Sequence, residues 1–375
     1  MALINYLNRV HLAPGALKQL PNELATLKIT RPMVVTDPGL AGSEVLQRLL
    51  AQCPAHTVVF ADTPQNPTED AVEAAVRQYL ASGCDGLVAF GGGSPMDLAK
   101  ATAVLATHEG PLSQYTVVEG GEARILPTAS PIIAVPTTAG TGSEVGRSAM
   151  ISMRSGGKRS VRSFHLVPRV AICDAELTLG LPARLTAATG MDALTHCFET
   201  YLSPVDNPVA EAIALHGAQL AYSNIEAVTL GDTTNIEARH NMMTAALMGG
   251  LAFQKGLGAV HALAHQLGAL KEPLLHHGTL NAVLLPAVLR YNREYIASRS
   301  QALARALGLP EGQDLAEAVE QLNVRLGLPL RLSEMGVPAD CLAAMAEAAP
   351  GDPSTRTNPR PVDVAGYRSI LEDAF

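Results

Sequence analysis

At about residue 180 the chain changes texture, and that change limits its fold more than any other feature. Before it, short apolar runs alternate with helix-like stretches. The runs are "RPMVVTD" (31–37), "HTVVFAD" (56–62), "CDGLVAFGGGS" (84–94), "SPIIAVPTTAGTGSE" (130–144) and "RVAICDAEL" (169–177). Between them, "TEDAVEAAVRQYLASG" has helical periodicity with Thr68 as N-cap and Gly83 as stop, and "SPMDLAKATAVLATH" reads as another helix. Buried strands alternating with amphipathic helices predict a parallel sheet covered on both faces. After residue 180, Ala/Leu-rich segments such as "NPVAEAIALHGAQLAYSNIEAV" and "EARHNMMTAALMGGLAF" contain no strand-like run. The expectation is a mainly parallel α/β domain over 1–180 and an all-α domain over 181–375. A chain of 375 residues also exceeds what one hydrophobic core usually serves.

Composition removes several function classes. A formal charge of −8 argues against nucleic acid as partner, because phosphate binding needs a basic surface. Cys53, Cys84, Cys173, Cys197 and Cys341 are odd in number and never spaced C-x-x-C, which suits buried thiols in a reducing compartment. "MALINYLNRVHLAPG" lacks a basic segment followed by an apolar one, and no apolar run is long enough to span a bilayer. A cytoplasmic protein with no membrane partner is expected.

Two glycine- and hydroxyl-rich turns follow strands. In "FGGGSPMDLAK" (90–100), Gly92 and Gly93 allow close backbone approach. Ser94 suits an N-cap, Pro95 the first helical position, and Asp97 the charge of the first turn. Such a helix start suits a pyrophosphate, although a tight connection without ligand accounts for the glycines equally well. The pattern G-x-G-x-x-G would need glycine where Met96 stands, and "TGSEVGRS" (141–148) has Thr141 and Arg147 where a phosphate loop needs Gly and Lys. "VPTTAGTGSEV" (135–145) offers Thr137, Thr138, Thr141 and Ser143 after the next strand. Loops at neighbouring strand ends border the crevice where open α/β sheets bind nucleotides. Asp37 closes an earlier strand, placed either to accept the hydroxyls of a ribose or simply to shape its Asp-Pro turn.

The helical half carries the metal-type side chains. Asp192 and His196 are four apart, as are His261 and His265, so each pair shares a helix face, and "LLHHG" supplies His277. One histidine on an apolar face is usually a core residue. Several with a carboxylate favour a divalent ion such as zinc, iron, cobalt or nickel, and are too nitrogen-rich for magnesium or calcium. The peptidase pattern H-E-x-x-H is absent, since Ala262, Leu263 and Ala264 separate His261 from His265.

With both sets in view, the chain resembles the iron-containing (group III) alcohol dehydrogenases nearly end to end. The likeness is carried by "QNPT", "GGGSPMDLAK", "PTTAGTGSEV", "ATGMDALTH", "GLGAVHALAHQLG", "HHGTLNAVLLP" and "TNPRP", in that order. The resemblance implies a dehydroquinate synthase-like architecture: an NAD-binding domain, a helical catalytic domain and one divalent metal between them, Fe2+ favoured and Zn2+ admissible. By motif position the metal ligands are Asp192, His196, His261 and His277, and His265 is the catalytic histidine near substrate and nicotinamide. The cofactor side is Asp37, Asn66, Gly92, Gly93, Ser94, Asp97, Thr137, Thr138 and Lys158, with Thr178 and Leu179 where the domains meet. An acid at Asp37 implies NAD rather than NADP. A homodimer or higher homo-oligomer is the family's habit.

The implied reaction interconverts a primary alcohol and its aldehyde. A bound divalent ion acidifies the hydroxyl, much as metal-bound water falls from a pKa of roughly 15.7 to about 7. Hydride then passes to the nicotinamide. "FQKGLG", "LHHGTLNAV" and "TNP" are most similar to bacterial 4-hydroxybutyrate dehydrogenases, whose product is succinate semialdehyde. A substrate carboxylate needs a cation, for which Lys255 and Arg162 are the candidates, each otherwise a solvated surface charge. The alternative is a broad NAD-dependent reductase of short aldehydes or diols, of the 1,3-propanediol or lactaldehyde type. A lyase related to dehydroquinate synthase should differ in its metal set, and a silent NAD-binding protein should have lost a ligand or the glycine turn.

Overall fold

The computed structural model describes residues 4, 6 and 8–375. They divide into two compact units, one of Tyr6–Thr138 with Gly142–Thr178, the other of Leu179–Phe375 with Ala139–Thr141.

The first unit contains β1 (Arg9–Leu12), α1 (Leu20–Thr26), β2 (Pro32–Val35), α2 (Glu44–Leu50), β3 (Val58–Phe60) and α3 (Glu69–Ala81). There follow β4 (Gly86–Gly91), α4 (Gly93–Leu105), β5 (Ile132–Pro136), β6 (Ser148–Ser152), β7 (Lys158–Arg162) and β8 (Val170–Cys173). Six strands form a parallel sheet in the order β1-β8-β5-β4-β2-β3. Their side chains alternate between two cores. Met33, Val35, Leu87, Ala89 and Ile132 pack with Val72, Ala75 and Leu98 on one face. Val34, Val88, Phe90, Ile133 and Val135 pack with Leu20, Leu24, Leu46 and Leu49 on the other. A strand buried on both faces has no polar side to show, which is why these runs read as continuously apolar.

Thr68 caps α3 by accepting from Ala71 N, and Gly83 follows its end at φ 61°. Two features go beyond the five strands read from sequence. β1 pairs with β8 at the sheet edge, and β6 and β7 form a separate antiparallel hairpin. In "SAMIS" and "KRSVR" only Ala149, Ile151 and Val161 are buried, so the hairpin's other face stays polar and the apolar signal is weak. Helix α4 also starts earlier than expected. Gly92 is its N-cap and Ser94 lies inside the first turn, its hydroxyl donating to Gln65 O.

The second unit is helical: α5 (Ala183–Leu202), α6 (Pro208–Leu230), α7 (Ile236–Ala252), α8 (Ala259–Leu267) and α9 (His277–Asn292). It continues with α10 (Ala297–Ala306), α11 (Leu315–Arg325), α12 (Leu342–Ala348) and α13 (Val364–Ala374). Helix α5 is surrounded by α6, α7 and α9 and is buried from Thr186 to Leu202. That burial explains its apolar composition, and it makes every polar side chain on α5 costly unless partnered. Among the described residues no helix is long and apolar enough to cross a membrane.

Candidate metal centre and cofactor loops

In the helical unit, α5, α8 and α9 bring three donors together. Asp192 Oδ1 lies 3.8 Å from His261 Nε2 and 3.7 Å from His277 Nε2. One ligand atom from each residue falls within 4.8 Å of the other two. Ligands at about 2.0–2.2 Å around one tetrahedral ion stand roughly 3.3–3.6 Å apart, so the spacing fits a divalent cation. His196 stands beside this group rather than in it. Its Nδ1 is 3.9 Å from Asp192 Oδ1, has no hydrogen-bond partner and is buried, and its ring stacks on His261 at 4.5 Å. A buried imidazole nitrogen without a partner beside a carboxylate is a natural fourth ligand.

The close approach of α9 to α5 depends on Gly278. A Cβ there would overlap the carbonyl oxygen of Ala188, one turn before Asp192. Asn281 follows His277 by one turn and donates from Nδ2 to Asp192 Oδ1 at 2.7 Å. Glu199, two turns after Asp192 on α5, accepts from His261 Nδ1 at 2.6 Å and from Val260 N at 2.7 Å. That bond keeps the Nδ1 proton in place and turns Nε2 toward Asp192, as carboxylate partners of metal-ligating histidines do. Asn358, in "TNPRP", accepts from Ala259 N at 3.1 Å and so holds the first turn of α8. His265 Nδ1 pairs with Asp352 Oδ2 at 2.8 Å, which leaves Nε2 to face a substrate or water, and its ring stacks against His277 at 5.6 Å.

The electrostatics follow from burial and proximity. Burial opposes ionisation of Asp192, but His196, His261 and His277 outweigh it and hold the carboxyl far below its usual range. Burial pushes His196 down. It also opposes charge on His261, yet Asp192 and Glu199 overcome it and raise this imidazole to about 9. The cluster is built to hold positive charge at one point, as a cation site must.

In the first unit, Asp37, the glycine turn and Thr137–Thr138 follow β2, β4 and β5, three neighbouring strands. β3 and β4 flank β2 on opposite sides, so the chain diverges between β2 and β4, where nucleotide crevices form. Gly91 has φ 143°, and a Cβ there would lie 2.7 Å from Pro95 Cγ. Gly92 leaves room for Thr138, and Thr137 N bonds to Gly91 O at 3.0 Å. Asp37 Oδ1 accepts from Gly39 N and Leu40 N, so the turn-shaping part is met while Oδ2 makes neither bond. Lys158 Nζ donates to Asn66 Oδ1 at 2.7 Å, and burial lowers this lysine to about 8.

Several of the residues expected at the cofactor have side chains bonded within the protein. Asp97 is turned inward, with one oxygen accepting from Ser143 Oγ and the other from Met150 N, both at 3.0 Å. Lys100, three residues on, is fully buried and donates to Ser143 O, Ser143 Oγ and Ser148 O. The two residues hold the second loop in place through Ser143. The hydroxyls of Ser94 and Thr178 are likewise committed, Thr178 to Ala175 O at 2.8 Å, and Leu179 is half-buried in the helical unit.

Lys255, a candidate for the substrate cation, is enclosed within the helical unit. It is 2% exposed, and Nζ donates to Thr200 O, Tyr201 O and Ser203 O at 3.1, 3.3 and 2.8 Å, with Glu211 Oε1 at 3.0 Å. It caps the carboxyl end of α5 and has no hydrogen left for a ligand. Arg162 pairs with Glu122 at 3.0 Å and is 29% exposed at its side chain. Glu199 and Asn281 had a readable signal, lying on the helix faces of Asp192 and His277. Asp352 had none, because 87 residues separate it from His265.

A parallel sheet with glycine- and hydroxyl-rich loops at its switch point, and a helical unit with an Asp/His/His cation set, are the parts of a nucleotide-binding, metal-binding protein. The chain belongs to the iron-containing alcohol dehydrogenase family. Residues 8–175 match the iron-containing alcohol dehydrogenase model, and residues 186–375 match the C-terminal model of that family. It is 50% identical to a 4-hydroxybutyrate dehydrogenase of Cupriavidus necator, over 100% of both chains. Its fold superposes on a 1,3-propanediol oxidoreductase with TM-score 0.93 and 36% identity, over 100% of both chains. A sulfoacetaldehyde reductase from Bifidobacterium kashiwanohense in complex with NAD+ gives TM-score 0.89 at 28% identity, covering 100% of this chain and 99% of the other. The chain is an NAD-dependent alcohol dehydrogenase of this family.

Proposed function

We propose that the enzyme oxidises 4-hydroxybutyrate to succinate semialdehyde with NAD, and runs the reverse reduction. The observation that carries the substrate is the 50% identity, over both full lengths, to a 4-hydroxybutyrate dehydrogenase. The ligands are Asp192, His261 and His277 with His196, holding Fe2+ by preference or Zn2+. When bound, the ion acts as a Lewis acid on the substrate hydroxyl. Glu199 and Asn281 hold the donors in place, and His265, oriented by Asp352, takes the proton toward solvent from Nε2. NAD, when bound, would supply the acceptor for the hydride from the hydroxyl carbon, so that the alcohol would give aldehyde, NADH and one proton. Gly92, Gly93, Thr137, Thr138, Asn66, Asp37 and Lys158 bind the cofactor. Residues 1–180 serve as the NAD domain and 181–375 as the catalytic domain of a cytoplasmic homodimer or larger homo-oligomer, after the habit of the family.

The test is the initial rate of NADH formation with 4-hydroxybutyrate, 1-butanol and 1,3-propanediol, after ferrous iron is added and again after chelation. An order-of-magnitude lead for the hydroxy acid in kcat/KM, lost on chelation, is expected. Equal rates for the uncharged alcohols refute the substrate and favour a broad reductase, a reading supported by the likeness to 1,3-propanediol oxidoreductase.

A further inference from the structure

Lys100 is fully buried on α4, about two turns beyond the glycine turn, and the mechanism above does not use it. Its Nζ donates to Ser143 O and Ser143 Oγ at 2.7 Å each and to Ser148 O at 3.1 Å, so all three ammonium hydrogens are taken. Burial lowers this lysine to about 8, against the opposing charges of Asp97 and Glu144. Taking an ammonium out of water is costly, and an apolar side chain of similar length would fill the same space. Packing alone therefore does not account for a lysine here.

What the lysine does is join two segments to α4. Ser143 lies at the far end of the hydroxyl-rich loop that begins at Thr137, and Ser148 opens β6. Asp97, one turn before Lys100 on the same helix face, reaches the same two segments through Ser143 Oγ and Met150 N, at 3.0 Å each. The near end of the loop is held at the glycine turn, where Thr137 N bonds to Gly91 O at 3.0 Å. Strand β6 extends this frame to a third segment. Ser152 N donates to Pro67 O at 2.8 Å and Arg154 N to Glu69 Oε2 at 3.1 Å, while Lys158 of β7 holds Asn66. Ala149 and Ile151 of β6 pack in one core with Met96 and Leu98 of α4. All of these residues belong to the first unit.

We propose that Lys100 is a positioning residue for NAD. Its bonds to Ser143 and Ser148 hold the segments that carry Asn66, Gly92–Gly93 and Thr137–Thr138 in place before the cofactor arrives. The inference rests on the cofactor contacts proposed above and adds the group that keeps them together. Loops already in their bound shape lose less freedom on binding. If loosening leaves about a tenth of the molecules in that shape, affinity falls about tenfold.

The experiment titrates NADH by fluorescence into wild type, Lys100→Met, Asp97→Asn, Lys158→Met and Lys255→Met, with Tm and bound metal measured on each. Lys100→Met should weaken NADH binding about tenfold and raise the KM for NAD, with kcat at saturating NAD not lowered and metal retained. Asp97→Asn keeps its shape but cannot accept from Met150 N, so it should weaken binding in the same direction. It decides the matter alone if Lys100→Met does not fold. Lys255→Met removes a buried lysine of the helical unit and should lower Tm without moving NADH affinity. Wild-type affinity in Lys100→Met and Asp97→Asn, a loss that Lys255→Met shares, or a fall in kcat in place of a rise in KM overturns the positioning role. Weaker binding in Lys158→Met alone leaves the cofactor contacts standing and removes only Lys100. Unmoved affinity in Lys100→Met, Asp97→Asn and Lys158→Met together refutes the cofactor reading itself.

Discussion

Replacing Lys255 by Met separates a structural lysine from a substrate-binding one. The side chain is 2% exposed, and methionine of similar length leaves little cavity. What disappears is the ammonium. Its three carbonyl acceptors, Thr200 O, Tyr201 O and Ser203 O, end helix α5, and α5 carries Asp192, His196 and Glu199. Glu211 keeps Arg299 at 2.9 Å, so no carboxylate is stranded. Hydrogen bonds to a charged donor contribute roughly 1.5–3 kcal/mol each, and they do not add fully. A loss of about 3 kcal/mol is therefore expected, below the ~3–5 kcal/mol of a broken pair that leaves a buried charge. For a helical unit of this size, that is a fall of roughly 6–12 °C in Tm. Thermal unfolding followed by circular dichroism measures it, and the acid-to-butanol ratio of kcat/KM is measured alongside at a temperature where the variant is folded. The expected result is a lower Tm with the ratio unchanged. A variant melting within about 2 °C of wild type with a collapsed ratio refutes the reasoning and restores Lys255 as the carboxylate partner.

Three further outcomes are expected. Glu199→Gln weakens the hold on His261, so dialysis against a chelator should strip Zn2+ or Co2+ at about 10–100-fold lower chelator strength, and retention equal to wild type would refute the role. Asp352→Asn should lower kcat by about 10–100-fold while metal content is retained, because His265 loses the partner that sets its tautomer; an unchanged kcat removes His265 Nε2 from proton transfer. Lys158 has its pKa lowered to about 8 by burial, so its charge is present at pH 7 and lost as pH rises through 8. NADH affinity, read by fluorescence titration, should therefore fall between pH 7 and 9, and Lys158→Met should be weaker at pH 7 with a flatter profile. The stability contribution runs the other way, since the penalty for burying that charge is relieved as the ammonium deprotonates.

Much of this protein was legible in its sequence because the relevant signals are local. The parallel sheet showed as apolar runs, since strands buried on both faces have no polar side, and the later helices showed as long Ala/Leu stretches without β-branched runs. Asp192 with His196, and His261 with His265, were visible because four residues bring side chains to one helix face. Glu199 and Asn281 obey the same spacing, so their partnership was readable in principle. The β6–β7 hairpin was hidden by its half-polar composition. Asp352 beside His265, and Asn358 beneath α8, have no signal at all, because nothing local links residues that far apart. The tertiary structure alone decided which charges are spent. Lys255 and Arg162 look alike in sequence, yet three carbonyls and Glu211 enclose the first in the interior, while the second pairs with Glu122 at a half-buried place. Local periodicity places a side chain on a face. Whether its charge remains available depends on the partners that folding brings to it from elsewhere in the chain.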